Sequence, residues 1–170
     1  MVWLSGGGLG EFDLATDGGL DRIDRRILEI VQEDASLTVN ELAEAVSLSQ
    51  NACWRRLKRL EDEGYILKRV ALVDPVKLGS AMVVFVTVRA AEHSDEWLAA
   101  FAGAVRTIPE VVEFYRMSGE VDYLLKLRVK DIAAYDGVYR RLIKAVRLLD
   151  ISSAFAMEEM KFTTSVPIAL

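Results

Sequence analysis

The stretch SQNACWRRLKRLEDEG, residues 49–64, decides the fold of this chain. Cys53, Leu57 and Leu60 recur at helical spacing and form an apolar stripe. Ser49 is a favourable N-cap, and Gly64 can take the left-handed conformation that ends a helix, so the pattern predicts a helix that runs to Glu63. Because residues 54–59 hold four basic residues and no acid, the opposite face of this helix is predicted to be basic.

Two shorter helical patterns precede this stretch. Apolar residues at helical spacing predict a first helix over 21–34. Thr38 and Glu41 have the spacing of a capping box and predict a second, short helix over about 39–46. Ser47 and Leu48 then form a tight turn. Two short helices, a tight turn and a third helix with a basic outer face are typical of a helix-turn-helix.

Several side chains on and around the third predicted helix are suited to reading DNA. Glutamine and asparagine can pair with adenine, and arginine with guanine or phosphate. Two short strands, 66–68 and 71–73, predict a hairpin wing that brings Lys68 or Arg69 near a phosphate. The alternative is a three-helix protein-binding bundle whose basic face is merely solvated. The candidate DNA contacts are Thr38, Ser49, Gln50, Asn51, Trp54, Arg55, Arg56, Lys58, Arg59, Lys68 and Arg69.

The second half of the chain predicts a sheet domain. Asp74-Pro75 interrupts the pattern, and strands over 81–90, 111–118, 122–129 and 151–163 alternate with helices capped by Ser94 and Asp131. The order β-α-β-β-α-β predicts a ferredoxin-like antiparallel sheet with both helices on one face. The predicted fold is therefore α+β. Its parts are a flexible arm over 1–19, a winged helix-turn-helix over 20–75, a linker over 76–80, a ferredoxin-like domain over 81–165 and a tail over 166–170.

The face of this sheet opposite the helices is predicted to be bare and partly apolar. An exposed patch of that kind usually marks an interface, so we expect a homodimer built through the sheets. The alternative is a sheet covered by the N-terminal arm, which is mostly glycine. The outward candidates are Phe85, Tyr115, Leu125, Phe155 and Met157.

Composition excludes several classes of protein. The chain has 170 residues, a net charge of −5 and a single cysteine, so it has no internal disulfide, which suits the cytoplasm. The sequence contains no apolar run long enough to span a membrane and no basic segment of a secretory signal. With one histidine, His93, and one cysteine, a His/Cys metal site cannot be built, and no catalytic constellation or cofactor motif is found. We read His93 as a solvated loop residue and Cys53 as a core filler.

Six stretches of the sequence resemble, in order and spacing, the Lrp/AsnC family of transcription regulators. The match covers about residues 20–168. The resemblance implies a regulator that binds double-stranded DNA, dimerises through its C-terminal domain and assembles into higher oligomers. The stretches are LDRIDRRIL (20–28), LTVNELAEAVSLS (37–49), CWRRLKRLEDEGYI (53–66), VDPVKLG (73–79), SGEVDYLLKLRVKD (118–131) and TTSVPI (163–168).

The resemblance also implies a small effector, commonly an amino acid, bound near a loop between C-terminal domains. Glycine at 119 lets a ligand approach the backbone closely. Asp122 either pairs with the ammonium group of the effector or anchors the turn, and the sequence does not decide between these two roles. The candidate effector contacts are Met117, Ser118, Gly119, Glu120, Val121 and Asp122.

The sequence departs from the family pattern at two positions. Ser118 replaces the threonine that usually precedes the glycine, and Leu149-Asp150 replaces a Pro-Gly pair that leads into the last strand. Two other functions remain open at this point. One is a related ferredoxin-like enzyme, of the haem-precursor decarboxylase type, with a vestigial helix-turn-helix. The other is a scaffold subunit, which would not need a basic third helix. For the regulator, two-fold symmetry predicts an operator that is an inverted repeat.

Overall fold

The computed structural model describes residues 19–168, so the predicted arm over 1–19 lies outside the described residues except for Gly19. The chain forms two compact units. The first comprises the described residues up to Ala71 together with those from Phe162 onward, and the second comprises Leu72–Lys161. This division differs by several residues from the predicted boundaries at 75, 81 and 165.

The first unit is built from three helices whose starts are fixed by capping side chains. The capping box at Thr38 is confirmed: Thr38 Oγ1 accepts the Glu41 N–H, and the Glu41 carboxylate accepts the Thr38 N–H. Ser49 caps the third helix as predicted by accepting the Ala52 N–H. Asp21 caps the first helix. The helices are α1 (Arg22–Glu33), α2 (Val39–Ala45) and α3 (Gln50–Asp62).

One core holds the three helices together. Cys53, Leu57 and Leu60 are buried on the inner face of α3 as predicted, and they pack with Ile27 of α1 and Leu42 of α2. The turn between α2 and α3 passes through Ser47, whose φ of 56° is left-handed. Residues other than glycine rarely adopt this conformation. Packing of the two flanking helices must therefore stabilise the turn.

The predicted hairpin wing is not formed. Residues 66–73 have no strand partner within the described chain, and Leu67 and Val70 are 74% and 60% exposed. A lone two-stranded hairpin is marginal in water because it has no third strand or helix to pack against. Lys68 and Arg69 therefore lie on an extended, exposed segment.

The second unit is a four-stranded antiparallel sheet in the order β2-β3-β1-β4, packed with two helices, and it confirms the predicted β-α-β-β-α-β arrangement. Its core joins both helices to alternate residues of the central strands, with Phe101 fully buried. The elements are β1 (Met82–Ala90), α4 (Asp95–Arg106), β2 (Val111–Arg116), β3 (Tyr123–Val129), α5 (Ile132–Ala145) and β4 (Leu148–Phe155).

The last strand is shorter than predicted and begins earlier. It ends at Phe155, opposite Val84, because β1 begins at Met82 and offers little further backbone to pair with. Leu149-Asp150, one of the two departures from the resemblance, lies inside this strand and not in a loop.

Two residues predicted for the open face of the sheet lie on the other face. Leu125 is fully buried in the core, and Phe155 packs edge-on against Tyr135 of α5. Their strands are apolar at adjacent positions, so the alternation was assigned one residue out of step, which exchanges the faces. Phe85 and Tyr115 are partly exposed on the open face, where Glu113 pairs with Lys126. Met157, beyond the end of β4, is 98% exposed.

Candidate DNA-reading helix and effector loop

Helix α3 exposes several side chains that lie outside its buried stripe. Gln50, Asn51 and Arg55 are exposed, and Trp54 is 54% exposed. Arg55 takes part in none of the ion pairs formed among the described residues. Two amides and an unpaired guanidinium on one helix face can make bidentate hydrogen bonds to base edges in a major groove. These four side chains form what we call the reading surface.

Arg56 and Arg59 point instead toward α1. Arg56 Nη1 donates to Asp24 Oδ1 at 2.8 Å and to Asp21 Oδ2 at 2.6 Å, and Arg59 pairs with the other oxygen of Asp24. Asp24 is only 1% exposed. The sequence prediction that both arginines contact DNA does not account for these ion pairs, which tie α3 to α1.

Hydrogen bonds within this cluster shift the pKa values of Asp21 and Arg56. The Asp24 N–H, and then the Arg56 guanidinium, lower the pKa of Asp21. Hydrogen bonds to Asp24 and Asp21 raise the pKa of Arg56. Asp21 and Arg56 therefore stay charged near neutral pH, and their ion pair is a lasting contact between the start of α1 and α3.

Two other predicted basic contacts are paired with acids on α3 itself. Lys58 donates to Asp62 at 2.7 Å, and this hydrogen bond raises the pKa of Lys58. Arg69 donates to Glu61 at 2.9 Å. Both pairs are exposed on the surface, where exchange of a carboxylate for a phosphate costs little because exposed pairs are weak.

Thr38 and Ser49 are the N-caps of α2 and α3 and do not belong to the reading surface. The Thr38 hydroxyl donates to the Glu41 carboxylate at 2.7 Å, and this bond lowers the pKa of Glu41. Ser49 Oγ accepts the Ala52 N–H at 3.3 Å, and its own proton stays available to a phosphate oxygen. In the structure, the two hydroxyl groups cap the first turns of α2 and α3 and so fix where these helices begin.

The predicted effector loop is a tight turn between β2 and β3. Gly119 has a φ of 123°, a conformation that favours glycine. The Met117 N–H donates to the Asp122 carbonyl at 2.8 Å, and the Asp122 N–H donates to the Val88 carbonyl at 3.0 Å. Met117 is 40% exposed, and Ser118 and Glu120 are exposed on the turn. Val121 is half-buried.

Asp122 anchors this turn to the neighbouring strand. Its Oδ2 accepts the Ala90 N–H at 2.8 Å, and its Oδ1 lies 2.9 Å from His93 Nε2. The hydrogen bond with His93, and then that with Ala90, lower the pKa of Asp122. Of the two roles left open by the sequence, the structure therefore shows the turn anchor.

Sequence reasoning missed His93 as part of this anchor. The residue is 29 positions from Asp122, and the two meet only because Val88 pairs with Tyr123 across the sheet. A local pattern carries no signal for such a contact. His93 lies in a loop with its side chain 65% exposed, as predicted, and what the prediction lacked is its contact with Asp122.

The described residues contain no group of three or more His, Cys, Asp or Glu side chains that could hold a metal ion. Within residues 19–168, no helix is long and apolar enough to cross a membrane. The fold and site together define a helix-turn-helix DNA-binding unit joined to a four-stranded sheet domain.

Comparisons with known proteins identify both parts. Residues 20–66 match the family described as winged helix-turn-helix DNA-binding, and residues 83–166 match the Lrp/AsnC ligand binding domain. The chain belongs to the Lrp/AsnC family and is a DNA-binding transcriptional regulator with a ligand-binding domain. Because its curated relatives are transcriptional regulators, the enzyme alternative is rejected.

The relatives match nearly over their full length. The glutamate uptake regulatory protein of Zymomonas mobilis is 50% identical over 149 residues, which cover 88% of this chain and 91% of that protein. The DNA-binding transcriptional activator DecR of Escherichia coli is 48% identical over 150 residues, which cover 88% of this chain and 99% of DecR.

Two solved structures are similar in fold as well as in sequence. An AsnC family regulator from Agrobacterium tumefaciens is 55% identical, with a TM-score of 0.84, and the match covers 87% of this chain and 97% of that one. A transcriptional regulator from Neisseria meningitidis, solved as an L-Met complex, is 37% identical with a TM-score of 0.83. That match covers 87% of this chain and 96% of the Neisseria chain.

Proposed function

We propose that this regulator reads a specific operator by placing α3 in the major groove. The observation that carries the proposal is the reading surface. Its members Gln50, Asn51, Trp54 and Arg55 are all exposed, and Arg55 takes no part in the ion pairs that hold Arg56 and Arg59. Lys58 and Arg69 can transfer from their exposed acidic partners to phosphates. We also propose that the regulator acts in the cytoplasm, where its DNA target would lie.

The test is a DNA shift assay with the chain's own upstream region. Arg55→Ala should weaken operator binding and leave folding intact. If Arg55 contacts a phosphate, the slope of log K against log salt falls by about 1, and if it reads guanine, discrimination at one base pair falls by about 1–3 kcal/mol. Arg140→Ala is the matched control, since Arg140 is an exposed arginine on α5 paired with Asp136. Unchanged affinity for Arg55→Ala and Lys58→Ala alike would exclude this surface as the DNA contact.

We further propose a homodimer formed through the open face of the sheet, acting on an inverted repeat and assembling into higher oligomers. Phe85 and Tyr115 on that face support it, since both are large and partly exposed. A half-turn insertion between half-sites should reduce affinity more than a full turn of about 10 base pairs. A monomer in sedimentation at micromolar concentration would refute the dimer.

We propose an amino acid as the effector, bound near residues 117–122. The L-Met complex of the Neisseria relative supports this ligand class, and the open space around Gly119 supports the place. Calorimetry with the common amino acids should show binding to the wild type and loss in Gly119→Val, because a φ of 123° strains any β-branched residue. Gly103→Ala, an exposed helical site where an added Cβ meets open space, is the control. Equal binding to wild type and Gly119→Val would place the effector elsewhere.

A further inference from the structure

The C-terminal residues of the chain return to the DNA-binding unit and are held there by one side chain. The Gln32 side chain, near the end of α1, bonds both main-chain groups of Val166: Nε2 donates to the carbonyl at 3.1 Å, and Oε1 accepts the N–H at 2.9 Å. The two residues are 134 positions apart. An amide that pairs with both groups of one residue fixes that backbone much as an adjacent strand does.

The contact recognises the main chain of the tail and not its side chain. The Val166 side chain is 66% exposed, whereas Ser165 and Ile168 on either side are half-buried. Thr163 Oγ1 accepts the Ser165 N–H at 3.0 Å and shapes the approach to Val166. Pro167 follows and limits the local backbone freedom.

The same segment is anchored at its other end within the sheet unit. The Ala156 N–H donates to the Val83 carbonyl at 3.0 Å, and Glu159 pairs with Arg128 at 3.2 Å. Residues 160–165 between the two anchors have no regular structure. The chain therefore passes from one unit to the other twice, once near residue 71 and once near residue 161.

We propose that residues 156–168 act as a strap that restricts the motion of the DNA-binding unit relative to the sheet unit, with Gln32 as its clasp. This inference rests on the proposed DNA-reading function. A single flexible connection lets two bodies reorient widely, and a second short tether removes much of that freedom before DNA is bound. A protein that is ordered in advance loses less entropy on binding, so the strap should raise operator affinity and sharpen the preference for one half-site spacing.

The experiment uses the full-length chain and two matched pairs of variants. Gln32→Ala removes both bonds, and Glu33→Ala changes the next, exposed residue of α1 as its control. Val166→Pro removes the N–H that Gln32 accepts, whereas Val166→Ala keeps both main-chain groups. Circular dichroism verifies that all four variants fold. Hydrogen exchange of the peptide that contains Val166 reports docking, and shift assays with half-sites at native and altered spacing report function.

Gln32→Ala and Val166→Pro should speed Val166-region exchange by about tenfold, the size expected for loss of one or two exposed hydrogen bonds. Both should weaken operator binding several-fold and reduce the penalty of a half-turn insertion, while Glu33→Ala and Val166→Ala match the wild type. If the Val166 amide of the wild type exchanges without protection, the proposal that the tail is bound by Gln32 is wrong. Faster exchange with unchanged affinity and spacing preference would overturn the strap's role. If the folded wild type binds no operator, the DNA-reading function itself fails, whatever the exchange shows.

Discussion

Removing both arginines that hold Asp24 should destabilise the DNA-binding unit strongly. In Arg56→Ala/Arg59→Ala, the Asp24 carboxylate, which is 1% exposed in the wild type, keeps only the hydrogen bond from the Asp21 N–H, at 3.1 Å. Stranding a buried charge in this way costs about 3–5 kcal/mol. That loss is a large part of the roughly 5–15 kcal/mol by which a domain is stable.

The single variants should cost less, because each leaves one arginine on the carboxylate. Arg59→Ala loses one charge-assisted hydrogen bond and Arg56→Ala loses two, to Asp24 and to Asp21. Each such bond is worth about 1.5–3 kcal/mol, and the 30% and 42% exposure of Arg56 and Arg59 favours the lower end. Adding Asp24→Asn to the double variant removes the stranded charge but keeps an acceptor for the Asp21 N–H. The triple variant should therefore be more stable than the double variant.

Urea titration followed by circular dichroism measures these differences, and hydrogen exchange of the α3 amides assigns them to the DNA-binding unit. Arg55→Ala serves as the control, with a midpoint near that of the wild type. If Arg56→Ala/Arg59→Ala keeps the wild-type midpoint and instead loses operator affinity as Arg55→Ala does, both arginines belong to the reading surface and the assignment of their ionic role is wrong.

Three further predictions follow from the described contacts. Ser49→Ala should lower stability by about 0.5–2 kcal/mol through loss of the α3 cap, and thermal unfolding with Ser49→Thr as control measures it. Phe101→Ala should cost about 3–5 kcal/mol, because the side chain is fully buried among Trp97 and Tyr123; a loss below 1 kcal/mol would contradict its central place in the core. Since folding lowers the pKa of Asp122, its carboxylate stabilises the loop above the ordinary aspartate range, and that contribution is lost as pH falls through the lowered value. The stability difference between wild type and Asp122→Asn, measured by urea titration, should therefore shrink below about pH 4, and a difference independent of pH would count against the anchor.

The parts of the fold that the sequence predicted correctly depend on residues close together in the chain. The Thr38–Glu41 box, the Ser49 cap and the Cys53/Leu57/Leu60 stripe involve separations of three to seven residues, so their geometry follows from the helix alone. The order of strands and helices is predictable for the same reason, because each element has its own periodicity and its own terminal signals.

The errors concern contacts between distant residues. Asp24 meets Arg56 and Arg59 across separations of 32 and 35 residues, and nothing within α3 shows which of its arginines faces α1. Leu125 was placed on the wrong face because Leu124 and Leu125 are both apolar, and a one-residue shift reverses every side chain of a strand. The wing was predicted from local β-propensity, which by itself cannot stabilise a two-stranded hairpin.

The ion pairs of α3 change how its basic composition should be interpreted. Helix α3 and the segment that follows it hold six basic residues. Arg56 and Arg59 pair with Asp24, and Lys58 and Arg69 have exposed partners. Arg55 and Lys68 are the two that no carboxylate of the described residues offsets. With a net charge of −5, such a surface gains little from nonspecific attraction to phosphate. Under the proposed function, operator affinity comes from base contacts by Gln50, Asn51 and Arg55 and from two copies of the helix presented at a fixed spacing. The proposed restraint of the DNA-binding unit by the strap would serve that spacing.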